Sequence, residues 1–325
     1  MYTFDKILSL INTEIKKLNW SRQPIGLYEP IGYVLSLGGK RIRPAIMLMA
    51  YNLYADDVIS VIKPALGLEV FHNFTLLHDD IMDRADMRRG QMTVHKKWND
   101  NTAILSGDVM QIEAYKLIAE TPKKHLKEVL DLFSKTAAEI CEGQQLDMEF
   151  ETRTNVSTDE YIEMIRLKTA VLMAAGAKIG AILGGGNDED ASNLYDFGKA
   201  IGLVFQLKDD LLDVYGNEQN FGKKIGGDIL CNKKTFLLIH ALKKSERKNA
   251  EELNYWLNNN DENLGDKKIK VVTEIYNRLN IREACEEKMN YYYRKALDNL
   301  DKVQVPKAKK SELQKLAENL MHRID

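Results

Sequence analysis

Two stretches of this sequence gather three aspartates with one spacing, Asp-Asp-x-x-Asp: Asp79, Asp80 and Asp83, then Asp209, Asp210 and Asp213. On a helix, positions i and i+4 share a face, so Asp79 projects with Asp83 and Asp209 with Asp213. Like charges held that close oppose folding unless cations sit between them. Carboxylate oxygens with no His or Cys cluster suit a hard ion, Mg2+ or Mn2+, rather than Zn2+. Magnesium held by a few carboxylates completes its shell with water and substrate phosphate. Basic residues near the motifs suit such a ligand. Lys40, Arg41 and Arg43 lie upstream, Arg88 and Arg89 follow the first motif, and Lys223 and Lys233 follow the second. Lys168-Thr169 sits inside an apolar run, where a lysine is unexpected. Gly39-Lys40 lacks the spacing of a Walker P-loop. One such acid motif alone reads equally well as a solvated helix end. The second copy, closing another unusually apolar helix, turns the balance toward metal chemistry.

The elements that carry these acids are themselves unusual. Leu66–Asp83 and Ala200–Asp213 are apolar on nearly every side and end abruptly in acid. A helix hydrophobic all round belongs at the centre of a bundle. Carboxylates at its end are costly unless paired or bound to metal. The rest of the chain reads as helix too. No proline lies between Pro122 and Pro306, a span too long for a loop-rich or all-β chain. Leu126, Val129, Leu130, Phe133, Ala137, Ile140 and Cys141 fall on one helical face. Stretches 44–54, 161–183, 235–243 and 270–279 read as further helices, and no alternating-strand segment stands out. Breaks fall at Gly38-Gly39, Gly184-Gly185-Gly186, 215–227 and 258–268. The expectation is one all-α domain over 1–325, a bundle of roughly ten or more helices.

Composition excludes several classes. Lys plus Arg (46) nearly balances Asp plus Glu (48), so no basic field points to nucleic acid. Cys141, Cys231 and Cys285 are widely spaced, which suits a reduced, cytoplasmic protein rather than a disulfide framework. The N-terminal segment carries Asp and Lys through its apolar stretch and reads as an amphipathic helix through Ile7, Leu8, Ile11, Ile15 and Leu18, not as a signal peptide. No membrane span is expected, because about 18 apolar residues never run together.

Taken in order, GGKRIRP (38–44), HDDIMD with MRRG (78–90), KT (168–169), FQLKDDLLD (205–213) and GKKIGGDILCNKKT (222–235) resemble the trans-prenyltransferase, or polyprenyl synthetase, family. That family makes farnesyl, geranylgeranyl and longer diphosphates. The resemblance implies an isoprenoid synthase type bundle around a central apolar cavity. It implies condensation of isopentenyl diphosphate with an allylic diphosphate through an allylic carbocation, releasing pyrophosphate. It implies three Mg2+ ions, with Mn2+ as a substitute: Asp79 and Asp83 hold two and Asp209 the third, supported by Asp80, Asp210 and Asp213. Arg88, Lys168, Lys223 and Lys233 then take the allylic diphosphate. Lys40, Arg43, His72 and Arg89 take isopentenyl diphosphate. Thr169, Gln206 and the carbonyl of Lys168 face the cation. Among chain-length positions, an aromatic at Phe74 accompanies short products. Thr75 lacks the second aromatic of one farnesyl type, and DDIMD lacks the insertion of the other. With Phe71 and Val70 a turn deeper, geranylgeranyl diphosphate is favoured over farnesyl diphosphate. A homodimer through Ala103–Ala119 is implied as well. A class I terpene cyclase and a non-catalytic regulatory subunit are the competing readings; the second motif and GGKRIRP disfavour the first, and the retention of both acid motifs disfavours the second.

Overall fold

The structure is a computed structural model that describes residues 1–216, 225–259 and 261–323. The chain forms two compact units, Met1–Thr136 with Leu172–Gly198 and Asn299–Leu316, and Ala137–Val171 with Lys199–Asp298 and Ala317–Asp325. Among the described residues, the architecture is helical apart from one short hairpin.

The first unit holds α1 (Phe4–Ile15), α2 (Ile25–Ser36), α3 (Ile42–Tyr51), α4 (Ile62–Met82), α5 (Val94–Lys97) and α6 (Asp100–Ile118). It also takes the start of α7 (Lys123–Thr152). Thr3 caps α1 by accepting the Lys6 N–H, which satisfies one of the orphan donors of the first turn. Ile7, Ile11 and Ile15 then point inward at helical spacing, while Leu8 stays half-buried and the helix stops before Leu18. As its all-round apolar sequence demands, α4 is buried along most of its length. It packs on α3 and, along its whole run, on α6. Gly67 permits that approach: a Cβ there would lie 2.9 Å from Ile118 and 3.0 Å from the Ala114 carbonyl. Along α7, Val129, Phe133, Ala137 and Ile140 are buried as their spacing requires, but Cys141 is exposed.

After α4 the chain makes the hairpin that sequence patterning did not foresee. Met87–Arg88 pairs antiparallel with Gln91–Met92, Met87 opposite Met92. Its two central residues, Arg89 (φ 52°) and Gly90 (φ 73°), are both left-handed. That is the requirement of a type I′ turn, whose twist matches the strands. Two-residue strands are too short to show alternation, so only the turn could have betrayed them.

The second unit is built on the remainder of α7, α8 (Thr158–Ile165), the Lys199–Tyr215 part of α10 (Asp188–Tyr215) and later helices that include Phe236–Lys244, Gly265–Arg278 and most of Ile281–Lys302. Phe150, Tyr161, Leu207, Phe236, Trp256 and Tyr276 lie in its core. Ser157 and Glu160 close a reciprocal capping box at the start of α8. Between α8 and α9 (Val171–Gly184) the residues Arg166–Ala170 widen into a π-turn. The continuous run Thr158–Gly184 is long and apolar enough to cross a membrane, contrary to the sequence expectation. However, 78% of its most apolar window is buried inside the protein, so its hydrophobicity is that of a core helix.

Candidate active site

In the first unit the acid motif closes α4. Asp79 and Asp80 stand in the last turn and Asp83 is the C-cap, its N–H donating to the Asp79 carbonyl at 2.8 Å. Negative charge is disfavoured at this end of a helix by the macrodipole, so cations must compensate. Asp80 is 4% exposed and is held bidentately by Arg88, with Nε 2.8 Å from each carboxylate oxygen and Nη2 at 2.7 Å. Burial pushes its carboxyl above the usual range, and the hydrogen bond and charge of Arg88 oppose that. The hairpin thus places Arg88 on the motif.

The same turn sends Arg89 to the glycine loop. Arg89 donates to the Gly38 carbonyl, and a Cβ on Gly39 (φ 139°) would sit 2.9 Å from its guanidinium. Only glycine leaves room for this approach in that backbone conformation. Next along, Arg41 is buried and left-handed (φ 48°). It binds buried Glu69 at 2.6 Å and the Leu35 carbonyl at 2.8 Å. Arg43 lies 3.0 Å from Nε2 of His72. A guanidinium can only donate, so Nε2 carries the lone pair and the ring is neutral with its proton on Nδ1. The environment agrees: burial, then the charges of Arg43, Arg89, Arg88 and Arg41, hold the His72 pKa well below its ordinary value. Arg43, His72 and Arg89 are therefore brought together as the sequence implied, and Lys40 is exposed on the same loop. A cluster of guanidiniums around one neutral histidine is suited to an anion.

Deeper on α4, Val70 and Phe71 are fully buried and Phe74 is 8% exposed. The Phe74 ring stands 5.4 Å from Phe71 and 4.8 Å from His78, and Phe71 stands 5.1 Å from Phe133. Thr75 turns its hydroxyl back to the His72 carbonyl at 2.8 Å.

In the second unit, Lys168 and Thr169 lie within the π-turn. Such a turn disturbs the i→i−4 ladder and marks functional sites. Gly143 of α7 lets the turn approach: a Cβ there would collide with the Lys168 amide and lie 2.8 Å from the Leu167 carbonyl carbon. Lys168 Nζ reaches Asp147 at 2.7 Å, and Lys233 Nζ lies 3.5 Å from the same oxygen. Burial pushes the Asp147 carboxyl up, yet the charges and hydrogen bonds of Lys233 and Lys168 outweigh it, leaving the pKa below normal. Asp147 escaped sequence reasoning. Its signal was an acid on the inward face of α7 shared by Ile140, Gly143 and Phe150. Lys223 lies outside the described residues.

The second acid motif sits on α10. Asp209 pairs with Arg323, which also donates to the Phe205 carbonyl at 3.0 Å and lies over the Phe205 ring at 4.2 Å. Asp213 accepts the Asp228 N–H at 3.0 Å. Asp210, 4% exposed, accepts from Tyr161 on one oxygen and from Gln206 Nε2 at 3.1 Å on the other. Burial and then the charge of Asp228 push its carboxyl up to about 8, against the bonds from Tyr161 and Gln206 and the charge of Lys233. Thr169 donates to Gln206 Oε1 at 3.1 Å. Tyr161, like Arg323 and Glu69, is a residue the sequence did not disclose; its type and position are those of any core aromatic.

No group of three or more His, Cys, Asp and Glu poised to hold a metal occurs among the described residues. The oxygen-only pairs fit Mg2+, which takes one or two carboxylates and fills its shell with water and phosphate oxygens.

Comparison with known proteins identifies the family. The family profile described as Polyprenyl synthetase matches residues 25–276. A geranylgeranyl diphosphate synthase of Methanosarcina mazei is 44% identical over 238 residues, 73% of this chain and 74% of its own length. A short chain isoprenyl diphosphate synthase of Methanocaldococcus jannaschii is 41% identical over 274 residues, 84% of this chain and 82% of its own. A crystal structure of a geranylgeranyl pyrophosphate synthase superposes with a TM-score of 0.95 at 41% identity, covering 100% of both chains. The fold is that of the all-α isoprenoid synthases, and with its ordered motifs and this breadth of match the chain belongs to the polyprenyl synthetase family.

Proposed function

We propose that this protein is a Mg2+-dependent prenyltransferase that joins isopentenyl diphosphate to an allylic diphosphate, with geranylgeranyl diphosphate as its main product. One observation carries the reading: the arginines that follow the first acid motif are bound back onto Asp80 and onto the GGKRIRP loop, beside a neutral His72. Carboxylates for metal and guanidiniums for phosphate thus belong to one construction. Asp79, Asp83 and Asp209 would hold Mg2+, which when bound supplies Lewis-acid stabilisation to the departing pyrophosphate.

Arg88, Lys168 and Lys233 bind the allylic diphosphate, with Lys223 in the same role. Lys40, Arg43, Arg89 and the Nδ1–H of His72 bind isopentenyl diphosphate. The allylic C–O bond breaks with its electron pair going to pyrophosphate, and the isopentenyl double bond attacks the resulting cation. The new carbon–carbon bond forms as a proton leaves the isopentenyl unit for the released pyrophosphate, so no side-chain base is needed. Thr169, Gln206 and the Lys168 carbonyl turn oxygen toward the cation. Phe74 limits the tail, and Thr75 leaves space that a second aromatic would close.

Ile104, Leu105 and Ile112 of α6 are 43%, 57% and 59% exposed. An apolar stripe of this kind supports pairing with a second copy through the Ala103–Ala119 segment, which sedimentation would register as a dimer. Cys141, Cys231 and Cys285 are joined in no disulfide among the described residues, which supports a reducing, cytoplasmic setting.

The test is incubation with labelled isopentenyl diphosphate, Mg2+ and dimethylallyl, geranyl or farnesyl diphosphate, followed by separation of the dephosphorylated products. An all-trans C20 alcohol is expected. A C15 end point would leave the enzyme and overturn the product assignment, and no incorporation from any primer would remove the reading.

A further inference from the structure

The second acid motif contains a residue whose contacts suit no ligand role. Both oxygens of Asp210 are turned into the protein, one toward Tyr161 and one toward Gln206. We propose that Tyr161 and Asp210 are positioning residues that fix the side-chain amide of Gln206, so that oxygen rather than N–H is presented to the allylic cation. The inference rests on the reading of Thr169 and Gln206 as the groups facing that cation.

An amide has two orientations of nearly equal shape and opposite polarity. Turned one way, Gln206 offers Oε1 to a positive carbon; turned the other, it offers two partly positive N–H groups. The hydrogen bonds decide between them. Gln206 Nε2 donates to Asp210 Oδ1 at 3.1 Å, which leaves Oε1 on the opposite side, where it accepts the Thr169 hydroxyl proton at 3.1 Å. The Thr169 proton is thereby directed onto Gln206, and the lone pairs of its oxygen remain for the cation. One anchored amide sets the polarity of two groups.

Tyr161 holds the anchor from its other side. It donates to Oδ2 of Asp210, which leaves Oδ1 turned to accept from Gln206. Tyr161→Phe removes that donor and frees the carboxyl to rotate, so that Oδ1 no longer fixes the amide. The phenol is 2% exposed and sealed in the core, so no water need be supposed to replace it.

The experiment compares wild type with Tyr161→Phe. Two non-ionising ligands are titrated calorimetrically in Mg2+: an allylic thiolodiphosphate with an uncharged tail, and an aza-analogue diphosphate bearing an ammonium at the position of the developing cation. Single-turnover rates are measured beside them. The expected result is about tenfold weaker binding of the charged analogue, as for loss of a charge-oriented hydrogen bond. The single-turnover rate should fall by a similar factor, while affinity for the uncharged analogue and for Mg2+ stays within about twofold.

A purely structural phenol would lower the melting temperature and leave the ratio of the two affinities unchanged, which overturns the proposal. A loss of Mg2+ affinity in Tyr161→Phe would overturn it differently, by returning Asp210 to the metal. If Tyr161→Phe does not fold, Asp210→Ala, which leaves Gln206 Nε2 without its acceptor, is titrated in its place, with the same ratio expected to fall. Absence of turnover in the wild type would sink the reading of the active site itself, whereas an active wild type with an unchanged ratio sinks only this inference.

Discussion

The two acid motifs have the same spacing and the same burial at their middle residue, and they differ in what that residue holds. Asp80 and Asp210 are each 4% exposed. Asp80 is answered by a full positive charge, the bidentate guanidinium of Arg88. Asp210 is answered by two neutral donors, Tyr161 and Gln206. Burial raises both carboxyls, but only at Asp80 does a paired charge stand against it. Desolvation favours the neutral acid and an opposite charge within bonding distance favours the anion. The first motif therefore uses its middle acid to anchor a cation that can also reach phosphate. The second uses it to anchor a relay of polar groups ending at Thr169. A repeated motif in sequence is not a repeated microenvironment in space.

The comparison breaks first at the outer aspartates, where the motifs should be alike. Asp79→Ala and Asp209→Ala should each lower Mg2+-dependent kcat/KM by about a thousandfold or more, the scale of losing several kcal/mol of Lewis-acid stabilisation. Initial-rate assays over a Mg2+ series check this; a variant of either motif that retains near-normal rate would end the claim that both hold metal. Arg88→Met should cost about a hundredfold in kcat/KM for the allylic substrate, as for loss of one transition-state donor. Arg88→Lys should recover only part of that, because an ammonium cannot repeat a bidentate contact. Full recovery would mean the Arg88–Asp80 geometry is unimportant. Smaller still is the packing behind the second motif. Gly143→Ala drives a methyl into the Lys168 amide, and overpacking of that kind costs about 1–3 kcal/mol. Thermal unfolding should show it as a fall of several degrees, with the KM for the allylic diphosphate rising through Lys168. An unchanged melting temperature would show that the π-turn yields without cost.

Much of this was readable in the sequence because it rests on periodicity and charge. The all-round apolar pattern of Leu66–Asp83 gave a buried α4, and Ile7, Ile11 and Ile15 gave the inner face of α1. Arg43, His72 and Arg89 converge through a glycine loop whose two positive-φ glycines were visible as Gly38-Gly39. What stayed hidden depends on contacts distant in sequence. The hairpin that aims Arg88 and Arg89 has strands of two residues, below the length at which alternation can be seen. Asp147 lies 21 residues before Lys168 and Tyr161 lies 49 before Asp210, so nothing local marks either as a partner. The split into two compact units follows no linker or shift in composition either, because its boundaries fall inside helices.

The smallest effect sharpens the comparison most. The Asp210 carboxyl titrates near 8 in the folded protein against an ordinary value of 3.8. Between those values the folded chain holds a proton that the unfolded chain has released. Stability therefore falls as pH rises across that interval and levels off above about 8. Asp210→Asn carries no proton to lose. Its melting temperature relative to wild type should accordingly climb by a few degrees from pH 5 to pH 8, whatever constant offset the substitution brings. Asp80→Asn should show a shallower slope, since Arg88 opposes the same shift there, and a larger constant loss from a guanidinium left without its carboxylate. Scanning calorimetry of the three proteins across that range reads both slopes. Parallel curves for wild type and Asp210→Asn would show that Asp210 is ionised throughout, and the electrostatic difference between the two motifs would then collapse to the identity of their partners alone.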